Sequence, residues 1–174
     1  AFNQRDRELA ELIWQQAAPE QTLDSTLFLT YAEFLMDSGE IDRLASLWEE
    51  FDRHYRLGEV ANGDFSRELG RAIGLNWRLR SSPKGVHIAR DFNEFYYAPA
   101  SLRFDFKGTH NLRLATPQIR IPVKPATRYE LLGFWRADNL TTRAKPYLVL
   151  RTIGGGRSQQ IRVPSDTFDW QRFS

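Results

Sequence analysis

At Asn62-Gly63-Asp64-Phe65 the chain changes its physical character. Before that tetrapeptide apolar residues recur at helical spacing, and after it they alternate at strand spacing. The charge changes at nearly the same place. Residues 1–57 carry 5 basic and 12 acidic side chains, a balance of −7, and residues 58–174 carry 19 and 10, a balance of +9, which leaves +2 overall. The chain therefore holds two unlike parts. Their opposed charge implies that they attract each other, that the basic part meets an anionic partner, or both.

The acidic part predicts three helices. Over residues 6–17, Leu9, Leu12 and Ile13 and, one turn on, Gln16-Ala17 form an amphipathic stripe that Pro19 closes. A second helix spans residues 23–38, with the stripe Leu27, Phe28, Tyr31, Phe34 and Leu35, Asp24 or Ser25 as N-cap and Gly39 as stop. A third spans residues 41–55, with Ile41, Leu44, Ala45, Trp48 and Phe51 on one face. The short Ser38-Gly39-Glu40 turn makes the last two an antiparallel hairpin. Leu9-Ala10-x-Leu12 recurs 35 residues later as Leu44-Ala45-x-Leu47. Helical pairs at that period resemble tetratricopeptide-like repeats. This stretch is then the end of a repeat array or a small helical cap, a scaffold in which Trp14 and Trp48 are packing residues.

The basic part predicts short antiparallel strands. Leu102-Phe104-Phe106, Ile119-Ile121-Val123, Tyr129-Leu131-Gly133-Trp135-Ala137, Tyr147-Val149 and Ile161-Val163 alternate with polar or charged neighbours. Turn signals such as Lys107-Gly108-Thr109, Lys124-Pro125-Ala126, Ala137-Asp138-Asn139 and Gly154-Gly155-Gly156 separate them. Such spacing is that of a β-sandwich. Residues 131–135 and 147–153 are apolar at successive positions, which predicts central strands covered on both faces.

The order of several motifs resembles galactose-binding-like jelly rolls, in particular the carbohydrate-binding modules of glycan-degrading and envelope proteins. Glu59-Val60-Ala61-Asn62-Gly63-Asp64-Phe65 is similar to their opening strand and turn, and Trp77 to the Trp that follows. Ser101-Leu102-Arg103-Phe104, the run from Tyr129 to Ala137, and Asp169-Trp170-Gln171-Arg172-Phe173 match later strands. The resemblance covers residues 57–174. It departs at Ser66, where the family has Glu, and at Ser174, beyond which the family continues with further strands. It implies a jelly roll incomplete at its C-terminus and carbohydrate as ligand. A structural calcium is also a family feature, but Asp64 alone supplies a small fraction of the six to eight oxygens that calcium takes.

Catalytic and metal signatures are absent from the sequence. It has no Cys, which excludes disulfides and thiolate metal sites and fits a reducing cytoplasm or an exported bacterial protein. His54, His87 and His110 are far apart, unlike a zinc-ligand set. There is no Gly-x-Ser-x-Gly, Walker loop or His-Glu-x-x-His. The Gly154-Gly155-Gly156 run opens no helix and reads as a hairpin tip. An enzyme is therefore not expected, and no cofactor beyond the implied calcium.

Sugar recognition needs flat aromatic faces ringed by polar groups. Trp77, Tyr96, Tyr97, Trp135 and Tyr147 are the aromatic candidates, with Trp135 on the core face beside Tyr129 and Leu131. In an extended strand Tyr96 and Tyr97 point to opposite sides, which leaves one exposed, and residues 91–99 are the leading site loop. Arg136 joins the set, with Arg78, Arg80, Arg103, Arg120 and Arg151 as further cations. Clustered, they would bind carboxylates or sulfates of an acidic polysaccharide; alternatively they pair with the acidic helices. Scattered along strands, they carry no nucleic-acid motif.

The expected fold class is thus α+β and multidomain: a helical segment over residues 1–57 leading into an antiparallel β-sandwich over 58–174. The expected function is a non-catalytic carbohydrate-binding module of a bacterial envelope or glycan-handling protein, periplasmic or in the cell envelope. The alternative is a structural or protein-interaction module in a secretion or polysaccharide-export assembly. No apolar run reaches the ~18–20 residues of a membrane span. A first residue of Ala marks the chain as an expected processed or excised piece, with any targeting signal upstream.

Overall fold

The computed structural model describes residues 4–22, 25–69, 74–79, 84–108, 112, 114, 116–142, 144–153, 156 and 158–174. Asp24, Arg80, Thr109, His110, Gly154 and Gly155, which bear on the expectations above, lie outside them. The architecture is α+β. Three helices, α1 (Gln4–Ala17), α2 (Thr26–Ser38) and α3 (Ile41–Phe51), precede six strands, β1 (Val86–Asp91), β2 (Ser101–Phe106), β3 (Gly133–Ala137), β4 (Tyr147–Arg151), β5 (Ser158–Arg162) and β6 (Phe168–Phe173). The strands pair as β1-β2, β3-β6 and β4-β5, all antiparallel, and among the described residues the pairs do not join into one sheet.

The boundaries of α2 follow from caps. Ser25 Oγ accepts the Phe28 N–H at 3.2 Å, which satisfies one of the free donors of the first turn. At the far end Gly39 sits at φ +80°, a conformation that costs a residue with a Cβ about 1–2 kcal/mol. α3 ends at Phe51, and Tyr55 lies beyond it in a turn.

The main core lies among the helices. Phe28, Leu35, Leu44, Trp48 and Leu75 are its fully buried large side chains. Trp14 stacks on Tyr31 (4.8 Å between centroids), while Phe28 meets Trp48 at 5.2 Å and Phe51 at 4.7 Å. Each such ring pair is worth about 0.5–1.5 kcal/mol beyond its buried area. Tyr55, Ala61 and Leu75 close this core from the downstream chain, and Ile119 packs on it.

Several elements differ from expectation. The α1 stripe faces outward: Leu9, Leu12 and Ile13 are exposed, and the helix enters the core through Trp14 and Ala10. The large Trp ring takes the place between α2 and α3, where it meets Tyr31 and Phe51, and the three aliphatic side chains are left outside. The two copies of the Leu-Ala-x-Leu motif consequently sit in unlike surroundings, since Leu44, Ala45 and Leu47 are buried. Residues 119–123 form no strand; Arg78 and Gln118 exchange a single pair of backbone hydrogen bonds instead. Residues 131–132 stay outside β3, and β4 is an exposed strand, with Tyr147, Val149 and Leu150, and Ile153 just beyond it, open to solvent. Its apolar run implied cover on both faces, and among the described residues β5 is its one paired neighbour.

The transition at residue 62 is a locked turn. Asn62 has φ +53°, and its carboxamide both accepts the Arg67 N–H (2.9 Å) and donates to the Arg67 carbonyl (3.0 Å). Trp77 Nε1 donates to the Asn62 carbonyl at 3.1 Å, and its ring packs on Phe65. Arg67 in turn pairs with Asp52 at 2.8 Å. The opposed charges of the two parts do meet here: Arg78 binds Glu33, and Arg120 lies 3.8 Å from Glu33 and 3.5 Å from Asp37.

Candidate functional site

The loop between β1 and β2 carries the exposed aromatics. Asp91, the last residue of β1, turns that loop: its Oδ1 accepts the N–H groups of Asn93 (2.8 Å) and Glu94 (3.1 Å). Those two bonds, helped by Arg103, hold its carboxyl below the usual carboxylate range despite burial. Ser101 Oγ donates to the Glu94 carbonyl at 2.5 Å and ties the loop to the start of β2.

So held, the loop lays Tyr96 flat on Phe134 of β3, with centroids 3.7 Å apart and planes 8° from parallel. Tyr97 meets Tyr96 edge-on at 4.8 Å and Phe134 at 5.5 Å. Trp170 of β6 completes the group, 6.1 Å from Tyr96. Tyr96 is 46% and Tyr97 66% exposed, so both rings reach solvent on one surface. They do not diverge as adjacent strand residues would, because residues 92–99 form bends, not a strand.

Charged groups rim the rings. Arg136 is ion-paired with Glu94. Arg103 bridges Asp91 (3.2 Å) and Asp105 (2.7 Å), and Arg172 lies 3.6 Å from Glu130. An open hollow of about 430 Å³ adjoins them, lined by Arg136, Ala137, Asp138, Thr167, Phe168 and Asp169.

Of the expected site residues, Tyr96, Tyr97 and Arg136 therefore come together. Trp77 does not: it is a partly buried strut of the Asn62 turn. Tyr147 stands on β4, half exposed, with the Arg162 guanidinium 5.1 Å from its ring centroid. Trp135 packs on Phe173 and Phe168, on the inner face of β3. Glu94 falls within the expected 91–99 loop, whereas Phe134 and Trp170 were not among the expected site residues. Phe134 was within reach, since period two puts it on the same strand face as Arg136.

Among the described residues no group of three or more His, Asp or Glu is placed to hold a metal ion. Asp64 Oδ1 accepts from the backbone N–H (3.2 Å) and hydroxyl (2.9 Å) of Ser66, so the carboxylate considered for calcium is already engaged within its own turn. These residues do not fit a calcium site. No helix of the described residues is long and apolar enough to cross a membrane.

No protein-family model, curated protein or solved structure matches this chain.

Proposed function

We propose that this chain is a non-catalytic module that binds carbohydrate on the Tyr96–Tyr97–Phe134–Trp170 surface, within a bacterial envelope or glycan-handling protein. The observation that carries the reading is the Tyr96–Phe134 stack with Tyr97 beside it. It is a ring platform held by a hydrogen-bonded loop and left open to solvent. Pyranose CH faces pack on such rings, and the adjacent guanidinium and carboxylate groups serve the hydroxyls. The finer fold reading, tetratricopeptide-like helices leading into a galactose-binding-like jelly roll, is part of the same proposal. The test is affinity electrophoresis of the wild-type chain and its Y97A variant in gels cast with different polysaccharides. Retardation that Y97A abolishes supports the reading; no retardation by any polysaccharide sinks it.

A second reading, a structural or protein-interaction module, is favoured by the outward apolar stripe of α1, where Leu9 is 57% exposed. Soluble proteins seldom present a helix this way without a neighbouring element to cover it. Crosslinking of the full chain in envelope extracts, with crosslinks gathering on α1, would favour this reading over the first.

A further inference from the structure

The charge around the platform limits which glycans it can take. Three arginines on β2, β3 and β6, the strands around the rings, are engaged by carboxylates: Arg103 by Asp91 and Asp105, Arg136 by Glu94, Arg172 by Glu130. Asp138 and Asp169 line the neighbouring hollow and, among the described residues, form no ion pair. Three cations thus face six anions, although the strand-rich part as a whole is basic. The excess positive charge lies elsewhere, in part on Arg78, Arg120 and Arg67, which are turned toward the acidic helices.

A uronate or sulfate brought to this surface would have to displace a carboxylate already bound to its arginine. It would also approach Asp138 and Asp169 through the hollow. Like charges brought together at an interface weaken binding. A sugar hydroxyl meets no such barrier. It both donates and accepts, whereas a guanidinium only donates and a carboxylate only accepts. A paired Arg–carboxylate therefore offers both complements side by side.

We infer that the ligand of this surface is an uncharged glycan and not an acidic polysaccharide, an inference that rests on the carbohydrate reading above. The experiment compares neutral glucan, galactan and mannan with the same polymers oxidised at C6 to uronates, by affinity electrophoresis of the full chain. At least one neutral polymer should retard the chain, and its oxidised form should bind about tenfold or more weakly. Raising salt should leave the neutral interaction nearly unchanged. Equal or tighter binding of an oxidised polymer would overturn the inference and leave the carbohydrate reading standing. Binding of neither would overturn both. As a second measurement, D138N/D169N should strengthen binding to the oxidised polymer by removing two repelling charges; no change there also counts against the inference.

Discussion

Both carboxylate oxygens of Glu33 on α2 accept from the same Arg78 nitrogen, at 2.8 and 2.6 Å, across the boundary between the acidic helices and the basic strand-rich part. Glu33 also accepts the Gly74 N–H at 2.9 Å. One carboxylate thus anchors two points of the downstream chain on the helical core. Hydrogen bonds to charged groups of this kind are worth about 1.5–3 kcal/mol. Glu33→Ala should lower unfolding stability by about that amount in urea titrations, and Glu33→Gln by less, since it keeps one acceptor for Gly74. A Glu33→Ala loss no larger than that of exposed Glu50→Ala would refute this anchoring.

The same carboxylate predicts a pH dependence. Burial pushes its pKa up, but the bonds from Arg78 and Gly74 outweigh burial and hold it below the ordinary value. An acid depressed in the folded state stabilises fully above its unfolded pKa, about 4.3, and that contribution is lost as pH falls through the lower folded value. Asp91 acts in the same direction. Melting temperature should hold steady down to about pH 5 and drop below about pH 4, with a shallower drop in Glu33→Gln. An unaltered acid limb in that variant would remove Glu33 as a cause.

Two glycines should respond differently to Ala. Both have positive φ, +80° at Gly39 and +65° at Gly74. A Cβ at Gly39 meets nothing within 4 Å, so Gly39→Ala should cost about 1 kcal/mol of backbone strain. At Gly74 it would lie 2.7 Å from the Trp48 ring and 3.1 Å from the Ala32 Cβ. Gly74→Ala should be several-fold worse, because Trp48 is fully buried and has nowhere to move. Equal losses in chemical denaturation would show that this contact is not tight.

Ligand binding and stability should separate by residue. Tyr97→Ala should abolish retardation by a polysaccharide with a stability change within about 0.5 kcal/mol, as for other exposed positions. Trp77→Phe loses the bond to the Asn62 carbonyl and should cost about 1 kcal/mol while sparing binding. Tyr147→Ala should change neither, because its ring lies on the β4–β5 pair. A loss of binding in Trp77→Phe without a loss of stability would move the site.

The helices were legible because their periodicity is long and their caps chemical: Ser25, Gly39 and the stripe of α2 stand where the spacing put them. The orientation of α1 was not, since Trp14 outcompetes Leu9, Leu12 and Ile13 for the core and no local pattern ranks them. Among strands, alternation found β2, β3, β4 and the end of β5, while β1 was missed because Val86-His87-Ile88 is too brief to stand out. The run at residues 119–123 alternates equally well, yet Ile119 is drawn to the helical core. At the site, the loop and its two tyrosines were legible by composition. Their partner Phe134 is distant in sequence and depends on how the loop folds over β3.

The clamp between Asn62 and Arg67 bears on the chemical lifetime of the chain. An Asn-Gly pair deamidates when the following backbone nitrogen attacks the side-chain carbonyl, and a flexible Asn62-Gly63 would be the first place for this chain to age. Here the carboxamide is held at both its oxygen and its nitrogen by Arg67. Deamidation would put a carboxylate oxygen against the Arg67 carbonyl in place of a donor. The rate of isoaspartate formation at residue 62, followed by mass spectrometry, should therefore be slow in the intact chain and rise in Trp77→Phe, which loosens the turn. The clamp would then protect the one Asn-Gly step of the chain from the ageing that its sequence invites.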